Sequence, residues 1–386
     1  MRSVLQLRTP QNGNGDGHNV DGVNVGSHSA VDHAVNPAEA GASPKVRFRE
    51  PQIEMAHGAG GKASRRLVEG LFAPLLFPSS PESEPLGDAA LLDFNGTRIA
   101  ITTDSFVVKP LSFPGGSIGE LAVNGTVNDL AVSGARAEAM VVTYVLEAGL
   151  PTPVLECEVR AMGNAARKAG VTIAGGDTKV VEHGKADFMY ITTTGIGRPL
   201  PGLTIDAKSV RPGDRILLSG PIGDHGITIL LARGELDLEA NLRSDTRSVL
   251  PLVEALADAA GPGIRWMRDP TRGGVATSLN ELARDCGCGI VLQEETIPVH
   301  DAVRGACELL GLDPLHIANE GQFLAVVAPE YADGALNALS LAPGGEHAQV
   351  IGEVREQPSG AVLITTRYGG SRIIDMLVGD PLPRIC

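Results

Sequence analysis

Aromatic side chains are scarce in this chain of 386 residues, 3% of the total with a single tryptophan. A core built without them is aliphatic, and the 48 glycines imply glycine-rich loops. Cations are also short: 32 Lys and Arg stand against 46 Asp and Glu, for a net charge of −14. That balance excludes nucleic acid and an anionic membrane as partners, since both require clustered positive charge. It leaves a nucleotide ligand open, because a phosphate site is a local arrangement of backbone N–H groups and metal. No apolar run approaches the ~18 residues of a membrane span, and the start shows no secretory pattern of charge followed by an apolar stretch. The cysteines (Cys157, Cys286, Cys288, Cys307 and Cys386) are odd in number, so a reduced, cytoplasmic setting is expected. Cys286 and Cys288 flank Gly287, but no second cysteine pair or nearby histidine completes a zinc set. Buried structural thiols are expected there.

With 43% hydrophobic and 20% charged residues, the chain has the make-up of a soluble globular protein of two or three domains. Residues 1–46 are rich in Gly, Asn, His, Asp and Ser without an apolar period, the composition of a disordered extension. The segment Asp88–Asp104 predicts a hairpin, with Asn95-Gly96 between two apolar-rich strands. A helix is expected from Ile118 to about Gly134, a strand over Ala137–Val145 and an amphipathic helix over Pro153–Ala169. Strands over Val171–Ala174 and Phe188–Gly197 continue the alternation. Pro199-Leu200-Pro201-Gly202 marks a boundary, after which the pattern restarts with a strand at Arg215–Ser219 and a helix at Ile227–Arg233. The expected fold is α/β: two consecutive domains, 47–199 and 200–370, followed by a mobile tail, 371–386.

The last six residues, Pro381-Leu382-Pro383-Arg384-Ile385-Cys386, form a proline-stiffened arm ending in a thiol. Each proline fixes its own φ and biases the preceding residue toward extended geometry, so the arm is expected to project rather than coil back. A mobile end can carry a group between two places, and a thiolate is a strong nucleophile. An isolated cysteine with nothing to activate it is inert, and the arm alone fits that description as well.

Five aspartates recur at strand ends or beside glycine: Asp88, Asp104, Asp129, Asp177 and Asp269. Singly, each serves equally as a turn or cap residue. Crowded together they repel one another, and a hard divalent cation relieves that; Mg²⁺ binds few carboxylates directly and bridges to substrate phosphates. In Met55-Ala56-His57-Gly58-Ala59-Gly60-Gly61-Lys62, glycine amides ahead of a helix can cradle phosphates, with Lys62 adding charge. It is not a Walker A loop, because Ala56 replaces its first glycine and Ala63 its Ser or Thr. Lys179 follows a Gly175-Gly176-Asp177-Thr178 turn, where it can steady charge on a transferring phosphoryl group. Glu320 lies in a short polar loop before a strand at Phe323–Val327. Position alone fits a solvent-facing lysine and a turn carboxylate equally well.

Taken in order, these motifs resemble the HypE family, the maturation factors that make the cyanide ligands of NiFe hydrogenases. The residues that carry the likeness are Gly87-Asp88-Ala89-Ala90, Thr103-Asp104-Ser105, Phe113-Pro114-Gly115-Gly116, Gly125-Thr126-Val127-Asn128-Asp129-Leu130-Ala131, Gly175-Gly176-Asp177-Thr178-Lys179, Arg268-Asp269-Pro270-Thr271-Arg272-Gly273-Gly274 and Asn319-Glu320-Gly321. It covers residue 52 to the end, and its most specific piece is Pro383-Arg384-Ile385-Cys386. More broadly the chain is similar to the aminoimidazole-ribonucleotide synthetase (PurM-like) superfamily, whose members use ATP and Mg²⁺. The resemblance implies two PurM-like domains, a homodimer paired through a β-barrel of N-terminal domains, and ATP bound where the two domains meet. It implies that Asp88, Asp104, Asp129, Asp177 and Asp269 hold Mg²⁺ and ATP, and that His57, Gly58, Gly60, Gly61 and Lys62 form a flexible nucleotide cover. Asn124, Thr178 and Lys179 then line the site, and Glu320 is the base. The extension before residue 46 has no counterpart in the family pattern.

The activity implied is ATP-dependent dehydration of a carbamoyl group carried on Cys386, from thiocarboxamide to thiocyanate. In that scheme Cys386 is a tethered substrate. A carbamoyltransferase similar to HypF loads it, and an acceptor complex similar to HypC–HypD takes the cyanide. Two rival readings use the same aspartates: a kinase or synthetase acting on a diffusible small molecule, and a nucleotide-binding scaffold without catalysis.

Overall fold

The computed structural model describes residues 47–76, 87–234, 240–379, 382 and 384–386. The expected extension over 1–46 lies outside them. Val46–Cys386 form one compact unit.

Two short helices, α1 (Lys62–Leu67) and α2 (Ala73–Leu76), precede the first sheet. The predicted hairpin is present: β1 (Ala90–Phe94) pairs antiparallel with β2 (Thr97–Phe106). Asn95 and Gly96 both take positive φ, 53° and 83°, the two-residue turn that matches strand twist. A small hairpin, β3 (Ser112–Phe113) and β4 (Gly116–Ser117), leads into α3 (Ile118–Val132). Then follow β5 (Ala135–Glu147), α4 (Thr152–Ala169), β6 (Thr172–Val181) and β7 (Met189–Pro199). These strands make a five-stranded sheet in the order β1-β2-β7-β5-β6.

The expected turn at Gly175–Thr178 lies inside β6 instead. As an edge strand it tolerates glycine. Gly176 runs so close to β5 that an added Cβ would stand 2.0 Å from the Val142 carbonyl oxygen.

The second half contains β8 (Arg215–Leu218), α5 (Asp224–Ala232), α6 (Leu250–Ala260), β9 (Ile264–Arg268), α7 (Gly274–Cys286) and β10 (Gly289–Gln293). It continues with α8 (Asp301–Leu310), β11 (Leu324–Val327), α9 (Ala332–Leu341), β12 (Gln349–Arg355), β13 (Val362–Thr365) and β14 (Ser371–Ile374). Its seven strands run β14-β13-β10-β12-β8-β11-β9. Because β14 pairs with β13, residues 371–374 belong to the sheet edge rather than to a mobile tail. Helix α5 starts at Asp224, three residues before the expected Ile227, because Gly223 at φ 90° opens it. Cys286 and Cys288 are half-buried where α7 ends, not buried as expected.

Helix α3 joins the halves. Every residue in it except Glu120 and Asp129 is buried, the signature of a helix covered on all sides. It packs on β2, β7 and β5 of the first sheet, beside α4, and against α6 of the second half. One aliphatic core therefore runs through both halves, from Phe106 and Leu121 to Leu256 and Phe323. A second lies on the far face of the larger sheet: Leu217 joins the shared core, while its neighbours Ile216 and Leu218 join α7 residues in the other. That alternation follows from side chains pointing to opposite faces of a strand.

Candidate active site between the two sheets

Three of the five aspartates converge. Asp88 precedes β1, Asp129 sits near the end of α3, and Asp269 follows β9. Each offers a carboxylate oxygen within 4.8 Å of those of the other two. Thr102 Oγ1 lies 2.7 Å from the Asp88 carbonyl and 2.9 Å from Asp129 Oδ2. Arg268 Nε is 3.0 Å from Asp88 Oδ2, and its Nη1 donates to Glu281 Oε2 at 3.0 Å. Burial pushes all three carboxyls up. Asp269, Asp88 and Asp104 push Asp129 further, Asp88 and Asp104 act on Asp269, and Arg268 opposes the rise at Asp88 and Asp269. Asp104, on β2, is also pushed up by burial, with Arg272 and the Ser105 amide opposing. Hard oxygen donors that repel each other and draw on both halves fit Mg²⁺. Asp129→Asn removes one repelling charge and keeps an acceptor for Thr102. We expect the ligand-free variant to be more stable than the wild type, and Mg²⁺ to raise the melting temperature of the wild type but not of the variant. Calorimetry with and without the ion checks both.

Glu320 stands beside this group. It is buried, and among the described residues its Oε1 has no hydrogen-bond partner. Burial first, then Asp269, Asp104 and Asp245, hold its carboxyl well above the usual range, against Arg272. Sequence reasoning missed what fixes this loop. Asp245 accepts the Glu320 and Gly321 amides at 3.0 and 3.1 Å. Asn128, on α3, donates to the Arg247 and Glu320 carbonyls at 3.0 and 3.2 Å and accepts from the Val249 amide at 2.8 Å. Asn319 Nδ2 donates to the Pro270 carbonyl at 2.9 Å, tying the Glu320 loop to the turn that carries Asp269. Asn128 lies within a quoted motif, but nothing local distinguishes it from Asn124, which is simply buried in α3.

Asp177, Thr178 and Lys179 are placed elsewhere. Asp104 registers through Thr193 and Val142 with Gly176. Asp177 is thus three strand spacings from β2, about 14 Å. Asp177 also shares the outward sheet face with Ser105, Thr192 and Thr143, whereas Asp104 faces α3. Lys179 Nζ bonds Asp177 Oδ2 at 2.5 Å, which with the Thr178 amide holds that carboxyl below its usual range. Within one chain they do not join the acidic trio.

The glycine loop is also committed differently from the expected phosphate cradle. The Lys62 and Ala63 amides donate to the Leu377 and Val378 carbonyls at 2.9 and 3.3 Å, and the Gly60 amide donates to Ser64 Oγ at 2.8 Å. A Cβ on Gly61 would meet the Leu377 oxygen at 2.3 Å. Lys62 pairs with Asp375 at 2.5 Å. Gly58 accepts from Arg272 Nη1 at 2.7 Å, and His57 is buried with Nε2 2.5 Å from Glu50.

The terminal arm does not project. The Val107 amide donates to the Cys386 carbonyl at 3.0 Å and the Lys109 amide to the Arg384 carbonyl at 3.3 Å, so the arm runs back alongside the segment that follows β2. Arg233 Nη2 also donates to the Arg384 carbonyl at 2.9 Å, and Arg384 pairs with Asp187. Leu382 and Ile385 are 3% and 1% exposed, and Cys386 packs against the shared core. Proline stiffness favours an extended chain but not a free one, and burial of two aliphatic residues decides the matter. On the arm's other side His225 Nε2 lies 2.7 Å from the Ile385 carbonyl oxygen and Nδ1 lies 2.8 Å from Ser244 Oγ. Complete burial holds the His225 imidazole down at about 4. The unfolded chain therefore takes up a proton near pH 6.5 that the folded one refuses until about 4. Stability is expected to fall through that window on acidification by about 1.4 kcal/mol per pH unit. Denaturant melts of wild type and His225→Gln between pH 7 and 4 test the assignment, the variant lacking that part of the slope.

Comparison with known proteins agrees with this architecture. The AIR synthase related protein domains match the chain, the N-terminal one over residues 86–198 and the C-terminal one over 211–365. The carbamoyl dehydratase HypE of Azotobacter vinelandii is 48% identical over 342 residues, 89% of this chain and 99% of the relative. That of Escherichia coli is 44% identical over 337 residues, 86% and 99%. Among solved structures, a HypE–HypF complex superposes with a TM-score of 0.76 at 44% identity, covering 81% of this chain and 99% of the other. HypE in complex with ATP superposes at 0.72 and 45% identity, covering 87% and 100%. Two AIR synthase related domains meeting at a shared cluster of carboxylates define the class. The chain belongs to the HypE carbamoyl dehydratase family. Among the described residues no helix is long and apolar enough to cross a membrane.

Proposed function

We propose that this chain is an ATP-dependent carbamoyl dehydratase that converts a carbamoyl group on its own Cys386 into a thiocyanate, supplying cyanide for NiFe-hydrogenase maturation. The observation that carries this reading is the seated arm: Cys386 lies against the end of β2, the strand of Asp104, in the core shared with the loop of Glu320, whose buried Oε1 has no hydrogen-bond partner among the described residues. It works in the cytoplasm with a HypF-like carbamoyltransferase as donor and a HypC–HypD-like complex as acceptor.

The carried group is –S–C(=O)–NH₂, whose oxygen is a poor leaving group. Attack of that oxygen on the γ-phosphorus of ATP releases ADP, and one N–H proton is lost. The C–O bond then breaks, phosphate leaves with the bonding pair, and removal of the second N–H proton completes C≡N. Glu320 takes a proton from this nitrogen; burial raises its basicity and leaves Oε1 available, as a base in a water-poor site requires. Asp88, Asp129 and Asp269, with Asp104 beside them, would hold Mg²⁺, which neutralises phosphate charge during transfer. His57, Gly58, Gly60, Gly61 and Lys62 cover the nucleotide once the loop's bonds to Leu377 and Val378 open, and Asn124 lines its site together with Asp177 and Thr178 of a second copy.

Lys179 steadies the transferring phosphoryl group. Because it and Asp177 stand on the outward sheet face, they serve the site of a second copy. That face also exposes Leu92, Val141 and Ile196 at 40%, 45% and 42%, apolar surface suited to burial against the same sheet of another subunit. The same placement supports a homodimer that closes a β-barrel.

The test is to incubate the protein with its carbamoylating partner, carbamoyl phosphate and ATP, and to weigh the C-terminal peptide. ATP-dependent loss of one water from carbamoylated Cys386 is expected. An unmodified peptide alongside active ATP hydrolysis would end the account.

A further inference from the structure

We infer that His225 is the positioning residue that seats the carrier arm, donating Nε2–H to the Ile385 carbonyl while Nδ1 is held by Ser244. The inference rests on the proposal that Cys386 is a tethered substrate. His225 lies in the first turn of α5 and is fully buried, edge-on to Phe113 with ring centroids 5.7 Å apart. A carbonyl oxygen can only accept, so the contact at 2.7 Å places the ring proton on Nε2. Nδ1 must then accept from Ser244 Oγ–H at 2.8 Å. Ser244 Oγ in turn accepts from the Thr246 amide at 3.0 Å, and the Thr246 hydroxyl stands 2.6 Å away to donate to it as well. The direction of every bond in this chain is set by one carbonyl of the arm.

Two features give the contact consequences for the reaction. The arm is not a regular strand, since Arg384 takes φ 60°, yet its carbonyls are held from two sides. The Arg384 and Cys386 carbonyls face Lys109 and Val107, while that of Ile385 faces His225. A shifted arm forfeits the bonds from Lys109, Val107 and His225 together, and the buried His225 donor is the one that singles out Ile385, next to the thiol. Asp245, between Ser244 and Thr246, holds the Glu320 and Gly321 amides at 3.0 and 3.1 Å. One three-residue segment therefore positions both the arm and the candidate base.

The test uses the full chain with two substitutions: His225→Phe, which keeps a ring without a donor, and His225→Gln, whose Nε2 can donate from nearly the same place. Iodoacetamide labelling of Cys386, followed on the C-terminal peptide, reads seating without any turnover. His225→Phe is expected to label roughly tenfold faster and to dehydrate the carbamoylated arm roughly tenfold more slowly, the scale of one buried hydrogen bond. His225→Gln should recover most of both at unchanged ATP binding. If His225→Phe does not fold, Ser244→Ala, which leaves the buried Nδ1 without its donor and loosens the ring, is expected to show faster labelling as well. Wild-type labelling in the phenylalanine or alanine variant, or a folded glutamine variant no better than phenylalanine, overturns the assignment. Failure of the wild type to lose water would refute the dehydratase proposal while leaving the labelling comparison to decide the seat.

Discussion

With Cys386 replaced by alanine, the protein is expected to show no phosphate release coupled to its carbamoylating partner, while still binding ATP. The backbone reasons for a docked arm survive the change. The Cys386 carbonyl still accepts from Val107, the Ile385 carbonyl still meets His225, and Leu382 and Ile385 remain buried. Because the Sγ packs against the shared core, a loss of roughly 1 kcal/mol is expected, too little to unfold the protein. What disappears is the atom that carries the substrate. A kinase or synthetase acting on a diffusible molecule would lose nothing, so an active alanine variant sinks the tethered-substrate mechanism. A phosphate-release assay with the partner present, beside a thermal melt, reads both quantities.

Glu320→Gln is expected to slow dehydration of the carbamoylated arm by about 10²–10⁴-fold, the range for loss of a positioned base. The same change should stabilise the ligand-free fold. With its carboxyl held well above 4.5, folded Glu320 keeps a proton that the unfolded chain has already released. Wild-type stability from this group therefore declines as pH rises through the window above 4.5, by about 1.4 kcal/mol per pH unit, until the folded carboxyl ionises. The glutamine variant lacks that decline, so its advantage is small at pH 4 and larger at pH 7. Single-turnover mass analysis and denaturant melts at the two pH values give the answer. A slower and less stable variant would make Glu320 a structural residue.

Much of this was legible in the chain. The hairpin at Asn95-Gly96 announced itself because its turn chemistry is local. The two-part α/β alternation was readable because strand and helix periods are local as well. Asp88, Asp129 and Asp269 could be named as a group because each sits at a strand end, beside a glycine or in a motif. Asp177 and Lys179 looked equal to them along the sequence, yet pairing order puts them three strands away on the opposite face. The glycine segment before Lys179 resembled a turn, since nothing local says that a neighbouring backbone will approach it closely enough to require glycine.

Residues whose task is to hold other residues were the hardest to find. Asn128, His225, Ser244 and Asp245 act through bonds to carbonyls and amides that are distant in the chain, and no residue type or spacing marks such a partner. What the sequence determined alone was the local chemistry: an aliphatic α/β protein, a set of carboxylates suited to a divalent ion and nucleotide, and a thiol at the end of a stiff arm. Only the tertiary structure decided which carboxylates meet, that the glycine loop grips the chain's own C-terminal segment, and that the arm lies down in a groove. Those outcomes depend on strand order and on burial of Leu382 and Ile385 against both halves, contacts that exist only once the sheets have assembled around α3.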